Sequence, residues 1–176
     1  MSKNIVLTLT GHDRVGIVKE ITNVLVKYGG NVETSRMARL GGEFAMLALI
    51  ALRASDLSAL EPELQKLRDE GFQISLLTTE ADHAMKYTGW LPYQIEVQGA
   101  DHEGIIYEVA QHLAQQGINI EDMETTTTPA PMSGTLLFTM QATILVPPQL
   151  PFHKWSDALE EIGDKLNVTV EVTLVK

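Results

Sequence analysis

An α+β fold of two tandem βαββαβ units is predicted for this 176-residue chain, and three observations predict it. Gly11, Asp13, Gly16, Ile17, Glu20, Leu25, Gly29, Asn31 and Glu33 recur at one fixed offset as Gly99, Asp101, Gly104, Ile105, Glu108, Leu113, Gly117, Asn119 and Glu121. A repeat this regular marks two copies of one small unit. Within each copy, apolar alternation with period 2 and apolar stripes with helical spacing succeed one another in a fixed order. Glycine pairs, such as Gly29-Gly30 and Gly41-Gly42, punctuate the changes of pattern.

Asn4 to Thr10 alternates as a half-buried strand does, and a glycine-bearing turn follows it. From Arg14 to Tyr28 the apolar residues Val15, Val18, Ile21, Val24 and Leu25 recur at helical spacing, and Gly29 can end that helix in left-handed conformation. Asn31–Arg39 and Glu43–Leu52 flank Leu40-Gly41-Gly42 as a hairpin. Leu57, Leu60, Leu64 and Leu67 form a second helical stripe capped by Ser55 or Asp56, and Phe72–Thr79 closes the unit as a strand. The second copy repeats this order with Tyr93–Gln98, Glu103–Gln116, Asn119–Thr128, Gly134–Val146, Leu150–Leu166 and Val168–Val175. Domains are expected at residues 1–80 and 92–176, with 81–91 as a linker that Trp90 pins to a domain. The order is the ferredoxin-like split arrangement, an antiparallel sheet with both helices on one face.

That arrangement leaves one sheet face bare. Phe44–Leu52 is apolar on both sides, so another domain or subunit is expected to cover it; a homo-oligomer, with a dimer foremost, is the simplest form. Its counterpart Leu136–Thr143 alternates and is expected to be wetter. Thr127–Ser133, with Pro129 and Pro131, reads as a loop that expands the second hairpin. Methionines 37, 46, 123 and 140 read as core filler, and His83, His112 and His153 as surface residues.

Composition restricts the function. With 44% hydrophobic and 20% charged residues, the chain is an ordinary globular one. No apolar run approaches the roughly 20 residues that span a bilayer, and no signal peptide is read, so a cytoplasmic protein without membrane contact is expected. Zero cysteines exclude thiol chemistry and disulfides. Residues 1–80 hold nine Lys/Arg against ten Asp/Glu, and residues 81–176 hold four against thirteen, giving net charges of −1 and −9. An acidic half repels phosphate backbones, which argues against direct nucleic-acid binding and allows a basic protein partner.

The turns that follow the first strands could carry chemistry, Gly11-His12-Asp13-Arg14-Val15-Gly16-Ile17 and Gly99-Ala100-Asp101-His102-Glu103-Gly104-Ile105. Asp13 and Asp101 can cap the helix that follows. Gly16 and Gly104 remain unexplained by capping: a missing Cβ admits either a neighbouring strand or domain, or a small anion at the positive helix end. Asn31 and Asn119 open the next strands and are expected near the same turns. A carboxylate, free N–H groups and an amide together match the ammonium and carboxylate of an amino acid. His12 beside Asp13 and His102 beside Asp101 suggest acid–base or metal chemistry, but sequence neighbours on a turn point apart and no nucleophile accompanies them. A non-enzyme without cofactor or metal is expected.

Asp-Arg-x-Gly-Ile after the first strand, Gly-x-Asn-Val/Ile before the second, and the βαββαβ order resemble ACT domains, the small-molecule regulatory modules of amino-acid metabolism. The tandem pair, Ala130-Pro131-Met132-Ser133-Gly134 and the closing Lys165-Leu166-Asn167-Val168-Thr169-Val170 are similar to the glycine cleavage system transcriptional repressor group. The resemblance implies sensing of a small amino acid, of the glycine or serine class, at a junction between modules, and action through a partner regulator or enzyme. It nominates Gly11, His12, Asp13, Gly16, Ile17 and Asn31 in the first unit, and Asp101, Gly104, Ile105 and Asn119 in the second. Many ACT domains have Pro before the motif glycine; Val15 and Glu103 stand there instead, and Glu103 would repel a carboxylate, which favours the first turn. The competing reading is an ACT-fold interaction module without a ligand.

Overall fold

The computed structural model describes residues 2–79 and 85–175, and the chain divides into two compact units, Met1–Lys86 and Tyr87–Lys176. In the first, β1 (Ser2–His12), α1 (Ile17–Lys27), β2 (Asn31–Leu40), β3 (Glu43–Arg53), α2 (Leu57–Asp69) and β4 (Gln73–Thr79) follow in order. In the second, β5 (Leu91–Ala100), α3 (Ile105–Gln115), β6 (Asn119–Pro129), β7 (Leu136–Val146), α4 (Phe152–Leu166) and β8 (Val168–Leu174) repeat it. Each sheet is antiparallel in every pair, with the orders β2-β3-β1-β4 and β6-β7-β5-β8. This is the ferredoxin-like α+β fold, twice.

Pleat and helical period together build each core. Ile5, Leu7 and Leu9 point to the helix-bearing face of β1 and pack with Ile17, Ile21 and Leu25 of α1 and Leu60, Leu64 and Leu67 of α2. Ile95 and Val97 of β5 do the same with Ile105, Val109 and Leu113 of α3 and Trp155 and Leu159 of α4. Each such side chain contributes about 1.5–3 kcal/mol by leaving water. The inward stripe of α1 therefore starts at Ile17, while Val15 lies outside the helix and is fully exposed.

The helix-free faces differ as their sequences require. On the first sheet, Val6, Leu47, Leu49 and Leu77 share that face by register, and Leu47 and Leu77 remain 49% and 67% exposed. On the second, Glu96 sits between Gln141 and Glu171, and Glu124 lies beyond Gln141. No Lys or Arg occurs in any strand of that sheet.

Several expectations need correction. Residues 127–129 are not loop: β6 stays paired with β7 through Pro129, which is tolerated as the last residue of an edge strand. His112 is buried, because it lies on the inward side of α3 and its Nε2 meets the Trp155 carbonyl at 2.9 Å. Met37 is 41% exposed on edge strand β2, whereas Met46 and Met140 are core. Asp56 precedes α2 but makes no side-chain cap; Arg53 Nε holds its carboxylate at 2.7 Å. Trp90 is half-buried, with its ring 4.8 Å from that of Tyr87. Of the expected linker, residues 81–84, with His83, lie outside the described residues.

Close approach requires glycine at Gly11 and Gly99, as it does at Gly163 of α4. A Cβ on Gly11 would lie 2.4 Å from the Phe72 ring, and one on Gly99 would lie 2.6 Å from Val168 Cγ1 and 3.0 Å from the Asn167 carbonyl and Val168 Cα. The Phe72 ring can turn aside, but main chain cannot. Gly99→Ala is expected to destabilise the second unit by about 1–3 kcal/mol, and Gly11→Ala the first by less, measured as denaturant midpoints resolved by unit. Equal, negligible losses would contradict this packing.

Helix α1 is also tied to α2 by charge. Lys27 Nζ and Lys66 Nζ approach Glu63 at 2.8 and 2.9 Å and hold its carboxyl down at about 2, chiefly through the Lys27 hydrogen bond. A lowered acid stabilises the fold above its ordinary value of 4.5, and that contribution disappears as pH falls through about 2. Glu63→Gln should flatten this limb of an acid-unfolding curve; an unchanged curve would show the pair to be inert.

Candidate functional site

Each opening helix starts at a glycine in left-handed conformation: Gly16 has φ 97° and Gly104 has φ 98°. L-residues reach that region only at a cost of about 1–2 kcal/mol, so the backbone itself demands glycine. Among the described residues, nothing beyond the adjacent ones lies within 4 Å of the place where either Cβ would stand. Close approach thus belongs to Gly11 and Gly99, and φ belongs to Gly16 and Gly104. Neither helix receives a side-chain cap, contrary to expectation. The first-turn N–H groups of α1 and α3 precede any intrahelical acceptor and sit at the positive end of the helix dipole.

Asp13 does not cap because it is engaged elsewhere. Its N–H donates to the Gly42 carbonyl at 3.1 Å and its carboxylate meets Arg39 Nε at 2.8 Å, so it fastens the turn to the β2–β3 hairpin. The Asp101 N–H donates likewise to the Leu136 carbonyl at 2.8 Å. His12 turns away to Glu43, with Nδ1 2.6 Å from Oε1. No acid–base pair forms between His12 and Asp13. Ile17 and Ile105 are buried core residues whose main chain opens the helix.

Arg14, to which the motif itself assigns no role, organises the first turn. Its Nη1 and Nη2 donate to both Glu20 oxygens at 2.8 and 2.5 Å, Nη2 also reaches Glu70 at 2.8 Å, and the guanidinium lies 5.3 Å from the Phe72 ring centre. The Arg14 hydrogen bond holds the Glu20 carboxyl below its ordinary value. Its signal was available: Arg14 and His102 hold the same place in the two copies.

Asn31 and Asn119 do not lie beside the turns of their own units. Asn31 stands opposite Ala51, which pairs with Asn4, whereas Gly11 pairs with Phe44. Seven residues along β1 at about 3.3 Å each put the two roughly 23 Å apart. The second unit repeats this through Leu145, which pairs with Asn119 and Pro92, while Gly99 pairs with Phe138. The cause is topological: α1 and α3 carry the chain back to the starting end of the sheet before the next strand begins. The matched Glu33 and Glu121 fall where the ladder skips a residue, as bulges.

An open groove of about 250 Å³ adjoins the first turn, lined by Thr10, Gly11, His12, Glu43, Gly71 and Gln73. Of the nominated residues it gathers Gly11 and His12. Among the described residues no cluster of three His, Asp or Glu side chains could hold a metal, and no helix is long and apolar enough to cross a membrane.

Fold and turns define a duplicated α+β module in which an uncapped, glycine-led helix follows the first strand. A family model described as the ACT domain matches residues 3–76. Over 67 residues the chain is 40% identical to a UPF0237 protein of Methanopyrus kandleri, a match covering 37% of this chain and 74% of that one. It is 25% identical over 177 residues to the glycine cleavage system transcriptional repressor of Escherichia coli strain K12, covering 97% of this chain and 90% of the relative. The crystal structure of an unknown protein from Galdieria sulphuraria superposes with a TM-score of 0.84 at 35% identity over 100% of both chains. Residues 3–76 are an ACT domain, and the second unit repeats their fold.

Proposed function

We propose that this protein is a non-catalytic sensor that binds a small amino acid, of the glycine or serine class, and modulates a partner regulator or enzyme. The observation that carries the reading is the pair of uncapped helix starts at Gly16 and Gly104, each with open space beside the glycine. A carboxylate fits the N–H groups of Ile17 and Val18, where main-chain donors and the helix dipole act together. The ammonium fits Asp13, whose carboxylate is exchanged from Arg39, and the carbonyl of an Asn31 side chain. Because Asn31 is far from its own turn, that amide comes from a second copy of the chain, so the working form is a dimer or larger. The open apolar face with Leu47 and Leu77 supports association. Glu103, where the first unit has Val15, favours the first turn over the second. The Escherichia coli relative is a transcriptional repressor by name, and the Lys- and Arg-free second sheet favours control through a protein partner over contact with nucleic acid.

One observation favours a second reading, a ligand-free interaction module. Matched residues have folding roles of their own: Gly11 and Gly99 by contact, Gly16, Gly104, Gly29 and Gly117 by positive φ, Ile17, Ile105, Leu25 and Leu113 by burial. Thermal unfolding with a panel of amino acids separates the two. Glycine or serine at 100 times its dissociation constant should add about 2.7 kcal/mol. Asn31→Ala should remove the shift without changing the unliganded melting temperature, and sedimentation should give a dimer or larger species. A wild-type protein that no amino acid stabilises leaves the interaction module.

A further inference from the structure

The residue after the matched aspartate, Arg14 in one unit and His102 in the other, ties the opening turn to the end of the second helix. Arg14 reaches Glu70, the C-cap of α2. His102 Nε2 lies 2.7 Å from the carbonyl oxygen of Leu166, the last residue of α4, and Nδ1 lies 3.0 Å from that of Glu103. The anchors correspond. Gly11 abuts Phe72 and Gly99 abuts Val168, so Glu70 and Leu166 each stand two residues before the equivalent contact.

The two anchors differ in chemistry. A carbonyl oxygen accepts and cannot donate, so both imidazole nitrogens of His102 must donate. Neutral imidazole carries one N–H and imidazolium carries two. The geometry points to His102 as a proton-dependent latch: charged, it staples the turn of residues 101–105 to the C-terminal end of α4, and neutral, it releases one of the two carbonyls. Arg14 keeps the corresponding turn of the first unit tied across this range, because a guanidinium does not lose its proton.

The surroundings agree. Bonding to the Glu103 carbonyl, then to that of Leu166, with the charge of Asp101 adding, raises the His102 pKa above its ordinary value of 6.5. The negative end of the α4 dipole acts in the same direction. Charged neighbours in sequence are Asp101 and Glu103 on the turn and Asp164 and Lys165 in the last turn of α4; the carboxylates favour the cation and the lysine opposes it. For a raised histidine the stabilisation is complete below 6.5 and is lost as pH rises through the folded-state value. Where the proposed amino-acid sites hold, the second acquires a pH dependence that the first lacks; that consequence rests on the sensor reading, and the latch itself does not.

The test uses the full chain without any amino acid. The His102 ring and the amides of Gly104 and Asn167, which directly follow the accepting carbonyls, are tracked by NMR from about pH 5 to pH 9. His102 should titrate above 6.5 with both amides following the same midpoint, and His102→Arg should abolish their titration. The corresponding amide of Gly16 should stay flat. A His102 midpoint at or below 6.5, or amides that titrate unchanged in His102→Arg, would overturn the latch. Failure of the protein to bind amino acids would leave it standing.

Discussion

A strand that feeds a helix packed against its own sheet must reverse direction within a few residues, and in both units a left-handed glycine accomplishes it. Gly16 and Gly104 impose two consequences at once. The residue at the helix start has no side chain to offer as a cap, so the first-turn N–H groups are left to water or to a ligand. The turn must then be held from elsewhere. Asp13 and Asp101 bond through main-chain N–H to the neighbouring hairpin, and Arg14 and His102 reach the end of the second helix. A bare helix end inside a braced turn is preorganised, because its donors need no rearrangement to meet an acceptor.

The two copies share this frame and have diverged around it. In the first, ion pairs dominate: Arg14 with Glu20 and Glu70, Arg39 with Asp13, and Lys27 with Glu63. In the second, the Leu166 carbonyl at His102 stands where carboxylates hold Arg14, and the helix-free sheet face carries carboxylates and threonines in place of leucines. Exposed ion pairs of this kind contribute little individually. Their effect here is positional, since they fix where the turn lies. The copies therefore present different helix-free faces, apolar in one and acidic in the other.

Periodicity made the fold legible in the sequence because burial obeys it: the stripe Ile17, Ile21, Leu25 and the alternation Ile5, Leu7, Leu9 describe the core directly. The duplication doubled that signal. What stayed hidden was set by contacts distant in sequence. Whether a glycine answers to φ or to a neighbour depends on Phe72 or Val168, some 60 residues away, so the close approach expected at Gly16 falls at Gly11 instead. Asn31 is close to the turn in sequence, but the intervening helix spans the sheet and separates the two. Asp13 has the residue type and spacing of a cap, yet Arg39 on the hairpin competes for it. His112 carries no mark of burial until the carbonyl of Trp155 is seen to receive its ring.

The central claim is that the bare N–H groups behind Gly16 receive the carboxylate of a small amino acid. Amide chemical shifts followed during titration of the labelled protein with glycine and with serine test it most directly. The account predicts saturable movement led by Ile17 and Val18, with smaller effects at Ile105 and Ile106. Saturable movement confined to other residues, with those four amides unmoved, would contradict it.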